Sequence, residues 1–127
     1  MPLENVRTVL AKHPYLKQAI VFGSVARGQA RRGSDIDVAV DAGRPLSANE
    51  KIRLTEDLAL ATGRPVDLVD LATAGIPLLG EILRHGKRLL GSDDDYARLA
   101  LRHIDLNADL APGLKAALDE RNRQWLQ

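Results

Sequence analysis

Asp35 and Asp37 stand two residues apart in the run Asp35-Ile36-Asp37-Val38-Ala39-Val40-Asp41, which alternates strictly between polar or small residues and branched apolar ones. Such alternation predicts a strand with Ile36, Val38 and Val40 on one face and Asp35, Asp37, Ala39 and Asp41 on the other. Two aspartates at i and i+2 have Cα atoms about 6.6 Å apart, close enough for both side chains to reach one or two cations. Without a cation they repel, and aspartate is a poor strand former, so the pair asks for a ligand. A hard divalent metal supplies one. Magnesium takes oxygen donors and is commonly held by one or two carboxylates together with substrate phosphates, and manganese fits the same set. A bare Asp-x-Asp reads equally well as a solvated edge-strand face, so the neighbouring residues must decide.

Upstream lies Phe22-Gly23-Ser24, an apolar run ending in Gly-Ser. A glycine at that junction lets backbone approach a ligand closely, and free amides at a helix start are donors for an anion, phosphate above all. Ser24 adds a hydroxyl, and Arg27, Arg31 or Arg32 supply positive charge from the same segment. No acidic residue falls between Asn5 and Ser34, whereas Arg7, Lys12, Lys17, Arg27, Arg31 and Arg32 all do. A phosphate-seeking stretch therefore abuts an anionic one. Downstream, Asp67 shares a strand face with Val69 and Leu71, while Asp70 points the other way with Val66 and Leu68, so the two cannot serve one site. Asp67 is the choice for a third carboxylate, provided its strand neighbours that of Asp35. Asp70 is expected at the strand end, solvated or capping a turn.

The elements that must place these residues are an alternation of helices and strands. A first helix from Leu3 should stop at His13-Pro14; Gln18 to Phe22 reads as a buried strand, and Ser24 to Gln29 as one or two helical turns closed near Gly28. The strand Asp35 to Asp41 follows. Ser47 and Glu50 form a capping box for a helix through about Ala61, with Gly63 as its carboxyl cap. Then come a strand over Val66 to Leu71, a helix over Pro77 to His85 stopped by Gly86, a short edge strand over Lys87 to Leu90, and a helix capped by Ser92 with Asp95. Pro112-Gly113 separates that helix from a last one ending near Trp125. The class is α/β (α+β), a small mixed sheet flanked by helices.

The 127 residues suit one domain, and 45% hydrophobic with 28% charged residues is the composition of a globule with a real core. The absence of cysteine excludes disulfides, thiolate metal sites and cysteine nucleophiles. No secretory apolar segment and no run of about 18 apolar residues occurs, so a cytoplasmic protein without a membrane anchor is expected. A net charge of +1 does not suit a duplex-tracking surface, and four aromatic residues offer few stacking platforms, so nucleic acid is not the expected acceptor.

Taken together, Gly23-Ser24, ten residues, then Asp35-Ile36-Asp37 resembles the Gly-Ser-x10-Asp-x-Asp signature of the nucleotidyltransferase superfamily that includes DNA polymerase β. The run GSVARGQARRGSDIDVAV is similar to the minimal nucleotidyltransferase (MNT) domains of prokaryotes, and RPVDLVDL followed by PLLGEILRHGKRLL resembles their third-aspartate strand and next helix. The likeness covers residues 18 to 91. It implies a polymerase β-like fold as one domain over 1–127, with a core of about 14–91 and a helical extension over 92–127. It implies that Asp35 and Asp37 bind two magnesium ions, that Asp67 completes the second site and helps activate the acceptor hydroxyl, and that Gly23 and Ser24, with Arg27 and Arg32, hold the triphosphate of ATP. Domains of this kind often stand beside HEPN-domain RNase toxins as antitoxins that attach AMP to a toxin tyrosine, which implies a hetero-oligomer with such a toxin. Masking of the toxin by binding alone, or transfer to a small molecule or an RNA end, are the alternatives.

Other residues have quieter readings. Arg98, four residues and His103 resemble the Arg-x4-His core of HEPN ribonucleases, but Asp105 stands where tyrosine is usual, and Arg98, Arg102 and His103 are expected along a solvated or partner-facing helix side. His13 and His85 are expected as helix-end caps. Leu99, Leu106, Leu110, Leu114, Leu118 and Trp125 are spaced for packing, with part of that apolar surface available to dock a partner.

Overall fold

Parallel strands cannot be joined by a tight turn, and the capped helix between the second and third apolar runs is the crossover that makes them parallel. In the computed structural model, which describes residues 3–31 and 33–106, the elements are α1 (Leu3–Ala11), β1 (Gln18–Phe22), α2 (Gly23–Ala26), β2 (Ile36–Asp41), α3 (Ala48–Thr62), β3 (Val66–Asp70), α4 (Ile76–His85), β4 (Lys87–Leu90) and α5 (Asp93–Leu106). The four strands form one mixed sheet in the order β3-β2-β1-β4. β1 is antiparallel to β2 and to β4, and β2 is parallel to β3. β2 is therefore an interior strand, which removes the solvated-edge reading of its aspartates.

Alternation along the strands fills both faces. Ile36, Val38 and Val40 join Ala19 and Val21 beneath Val6 and Leu10 of α1 and Leu54 and Leu58 of α3. On the opposite face Ile20, Phe22 and Ala39 pack with Leu71, Leu79 and Ile82 of α4, and Leu99 of α5. The sheet lies between two helical layers, and the carboxylate face of β2 is the one under α4 and α5. Gly80 makes that layer close: a Cβ there would stand 2.8 Å from His103 Nε2.

Three connections are fixed by polar contacts. Ser47 Oγ accepts from Glu50 N–H at 3.1 Å while Glu50 Oε1 accepts from Ser47 N–H at 2.8 Å, closing the capping box, and Gly63 ends α3 at φ 66°. Asp70, at the end of β3, accepts from Leu46 N–H at 2.8 Å and from Ala72 N–H at 2.9 Å. It caps a turn as expected, but it is buried rather than solvated. Arg64 Nη1 donates to the carbonyls of Arg31 at 3.1 Å and Ser34 at 3.2 Å, tying the segment before Asp35 to the start of β3.

His85 stands in the last turn of α4 as expected, whereas the other two histidines depart from their expected places. His13 bridges Tyr15 Oη at 3.1 Å and Asp57 Oδ2 at 2.9 Å, joining the end of α1 to α3 instead of capping a helix. His103 is partly buried against Gly80, because the absent side chain there lets α5 approach, while Arg98 stays exposed beside Asp95 at 3.6 Å. Strand β2 begins at Ile36 and α2 at Gly23, each one residue from expectation. Arg32, the side chains of Asp105 and Leu106, and Leu110, Leu114, Leu118 and Trp125 lie outside the described residues.

Arg44 pairs with Glu50 through two hydrogen bonds of 2.8 Å, and this contact, with the Ser47 amide, lowers the Glu50 carboxyl to about 2. A carboxyl lowered on folding supports the fold only while ionised. Its contribution is full above its ordinary 4.5 and disappears as pH falls toward about 2. Ser47→Ala should cost about 1 kcal/mol. Urea unfolding at pH 7 checks the loss, and an unchanged midpoint would deny the cap its role.

Candidate active site

Strand register decides which aspartates meet. Asp37 of β2 pairs with Phe22 of β1 on one side and with Asp67 of β3 on the other. Paired residues share a face, so Asp37 and Asp67 stand side by side on the α4 and α5 face at the end where β1 runs into α2. Asp35, just before β2, is exposed, as is Asp67, while Asp37 is half-buried. Asp70 belongs to the opposite face, as alternation required.

The proximity is visible in the chemistry of Asp37. Burial raises its carboxyl above the ordinary 3.8, and the charge of Asp67, a hydrogen bond with Asp67 and the charge of Asp35 raise it further. Two ionised carboxylates this close repel each other. A divalent cation removes the conflict by placing a positive charge between them.

Gly23 approaches the same carboxylate from β1. Its φ of 72° is left-handed, and a Cβ added there would overlap Asp37 Oδ2 and stand 3.0 Å from Asp37 Cγ. Only glycine meets both demands. Ser24 follows, half-buried, as the second residue of α2, whose preceding Phe22 gives no side-chain cap to the first amides. Arg27 closes α2 by donating its main-chain N–H to Gly23 O at 3.2 Å, with its side chain exposed. Arg31 is also exposed, and its carbonyl is engaged by Arg64.

All donors here are oxygen, hard and anionic, which suits magnesium or manganese. Among the described residues no three histidine, aspartate or glutamate side chains form a cage of their own. Magnesium does not require one, since it keeps waters and completes its shell from substrate phosphates. The open rim formed by Asp35, Asp37 and Asp67 therefore fits the ion together with a triphosphate.

The contacts of Arg64 and the burial of Asp70 have no signal in the sequence, although the turn cap made by Asp70 is the expected one. Arg64 holds the approach to Asp35 in place, and Asp70 holds the loop into α3. Neither carries a motif for its long-range contact: Arg64 reaches carbonyls 30 and 33 positions away, and Asp70, besides its local bond to Ala72, reaches an amide 24 positions away, which only the folded sheet brings near.

The family model for "Polymerase beta, Nucleotidyltransferase" matches residues 4–95. The chain is 35% identical over 107 residues to the protein adenylyltransferase MntA of Shewanella oneidensis, covering 84% of this chain and 77% of that protein. It is similar to a chain in the crystal structure of a toxin-antitoxin with AMP-PNP, at 31% identity and a TM-score of 0.78, over 94% of this chain and 98% of that one. It is also similar to a chain in the structure of a tri-AMPylated Shewanella oneidensis HEPN toxin in complex with MNT antitoxin, at 30% identity and a TM-score of 0.69, over 92% of each.

Relief of carboxylate repulsion makes a stability signature. Asp37→Asn should stabilise the metal-free protein at pH 7 by on the order of 0.5–1 kcal/mol, a modest gain because the partners are exposed. The gain should vanish below pH 3.8, where Asp37 is protonated folded or unfolded. Thermal unfolding across pH measures it, and a less stable Asp37→Asn protein at pH 7 would contradict the repulsion.

Proposed function

The chain belongs to the polymerase beta nucleotidyltransferase family, and we propose that it transfers AMP from ATP to a hydroxyl, that of a tyrosine, on a partner HEPN-type RNase toxin and thereby acts as its antitoxin. The observation that carries this reading is the register that sets Asp37 beside Asp67 with Gly23 against Asp37. The similarity to an MntA adenylyltransferase and to toxin-antitoxin chains supports the choice of acceptor.

In this reading Asp35 and Asp37 hold magnesium with the triphosphate, and Asp67 completes the second metal position. Magnesium, when bound, supplies Lewis-acid charge to the transferring phosphoryl group and the leaving oxygen, with manganese able to substitute. Gly23 lets the turn approach the phosphates, Ser24 donates its hydroxyl, and Arg27 and Arg32 add positive charge. The acceptor oxygen forms a bond to the α-phosphorus as the bond to the bridging oxygen breaks, pyrophosphate leaves, and Asp67 takes the hydroxyl proton. Asp67 suits that role because it is exposed at the open end of the carboxylate row.

Incubation with ATP, magnesium and the partner toxin, followed by intact mass measurement, tests the proposal. The toxin should gain one or more AMP masses with the parent protein and none with Asp35→Asn plus Asp37→Asn. Neutralised toxin with unchanged mass would assign the protein to masking by binding alone.

A further inference from the structure

The two edges of the sheet are treated differently. At β4, Arg7 Nε donates to Leu89 O at 3.0 Å, and α1 lies alongside. Covering an edge in this way is how proteins prevent stray strand pairing. Among the described residues β3 has no such cover. Ile36 N–H donates to Pro65 O and Leu71 N–H to Val40 O, both at 2.9 Å. In a parallel ladder every second residue turns its N–H and C=O toward the neighbour. Asp67 and Val69 therefore face β2, and the main-chain groups of Val66, Leu68 and Asp70 face outward. The Asp70 carbonyl is taken by Thr73 N–H at 3.2 Å, but among the described residues no turn or loop bond reaches the outward groups of Val66 or Leu68. A hollow of about 290 Å³ opens along the same edge, lined by Lys51, Leu68, Val69, Asp70, Thr73 and Ala74.

We propose that β3 takes up an extended segment of the polypeptide acceptor as a fifth strand, so that the hydroxyl residue opposite Asp67 is delivered to that carboxylate. This rests on the adenylyltransferase reading of the same site. Residues paired across neighbouring strands share a face and lie about 4.8 Å apart. The acceptor side chain then continues the row of Phe22, Asp37 and Asp67 by one strand. Main-chain pairing to Val66, Leu68 and the N–H of Asp70 binds the segment without demanding particular side chains, and Asp67 fixes which position carries the hydroxyl. An acceptor tyrosine is thus presented on extended chain, not on a helix.

Hydrogen exchange on the mixture of this protein with its HEPN-type toxin tests the proposal. The amides of Val66, Leu68 and Asp70 should slow by about tenfold or more, equivalent to about 1.4 kcal/mol, while those of Asp67 and Val69, already in the ladder, stay as they were. Leu68→Pro removes one outward donor without touching the β2 ladder, as an edge strand tolerates. It should raise KM for the toxin by about tenfold while AMP-PNP affinity is kept, and Leu68→Thr, which retains the N–H, should behave as the parent. Should Leu68→Pro lose AMP-PNP affinity through misfolding, the exchange result on the parent decides. AMP transfer with those three amides unprotected overturns the docking and spares the enzymatic reading. Protected amides with no AMP transfer do the reverse.

Discussion

Two like charges held side by side by strand register are the constraint around which the molecule is arranged. Asp37 and Asp67 cannot separate without sliding β2 against β3, and a one-residue slip would turn Ile36, Val38 and Val40 out of the core beneath α1 and α3. The apolar packing on both faces of the sheet therefore enforces an electrostatically unfavourable contact, and burial first, then the neighbouring Asp67, raises the Asp37 carboxyl. Sites built for a ligand commonly retain such a cost, because a pre-formed charge row spares reorganisation when the ligand arrives.

The remaining polar contacts act on the approaches to that row. Gly23 must be glycine because its Cβ would occupy the space of the Asp37 carboxylate. Arg64 fixes the segment leading to Asp35 through two carbonyls, and buried Asp70 fixes the loop into α3 through two amides. None of these contacts belongs to the row, yet each limits where one of its neighbours can move. Among the described residues no turn or loop hydrogen bond covers the outward groups of Val66 or Leu68 on the edge beyond Asp67. Among the described residues no helix is long and apolar enough to cross a membrane.

Much of this was legible in the chain because the signals were local. The bounds of β1 and β4, the Ser47 and Glu50 box, the Gly63 cap and the inward set of β2 follow from turn chemistry and a period of two. The pairing of Asp37 with Asp67 needed only one further step, that β2 and β3 be neighbours. What stayed illegible was long-range. Nothing near Arg64 announces that its guanidinium will reach the carbonyls of Arg31 and Ser34, and the burial of Asp70 depends on Leu46 arriving from another connection. His13 and His103 were misplaced for the same reason, since their partners Asp57 and Gly80 are set by helix packing and not by spacing.

Isothermal titration of the protein with a non-hydrolysable ATP analogue in the presence of manganese tests most directly whether the carboxylate row is a cation and triphosphate site. Saturable heat that requires the metal, and that disappears in Asp37→Asn while this variant remains folded, is the expected result. No heat from the folded parent, or the same heat from Asp37→Asn, would contradict it.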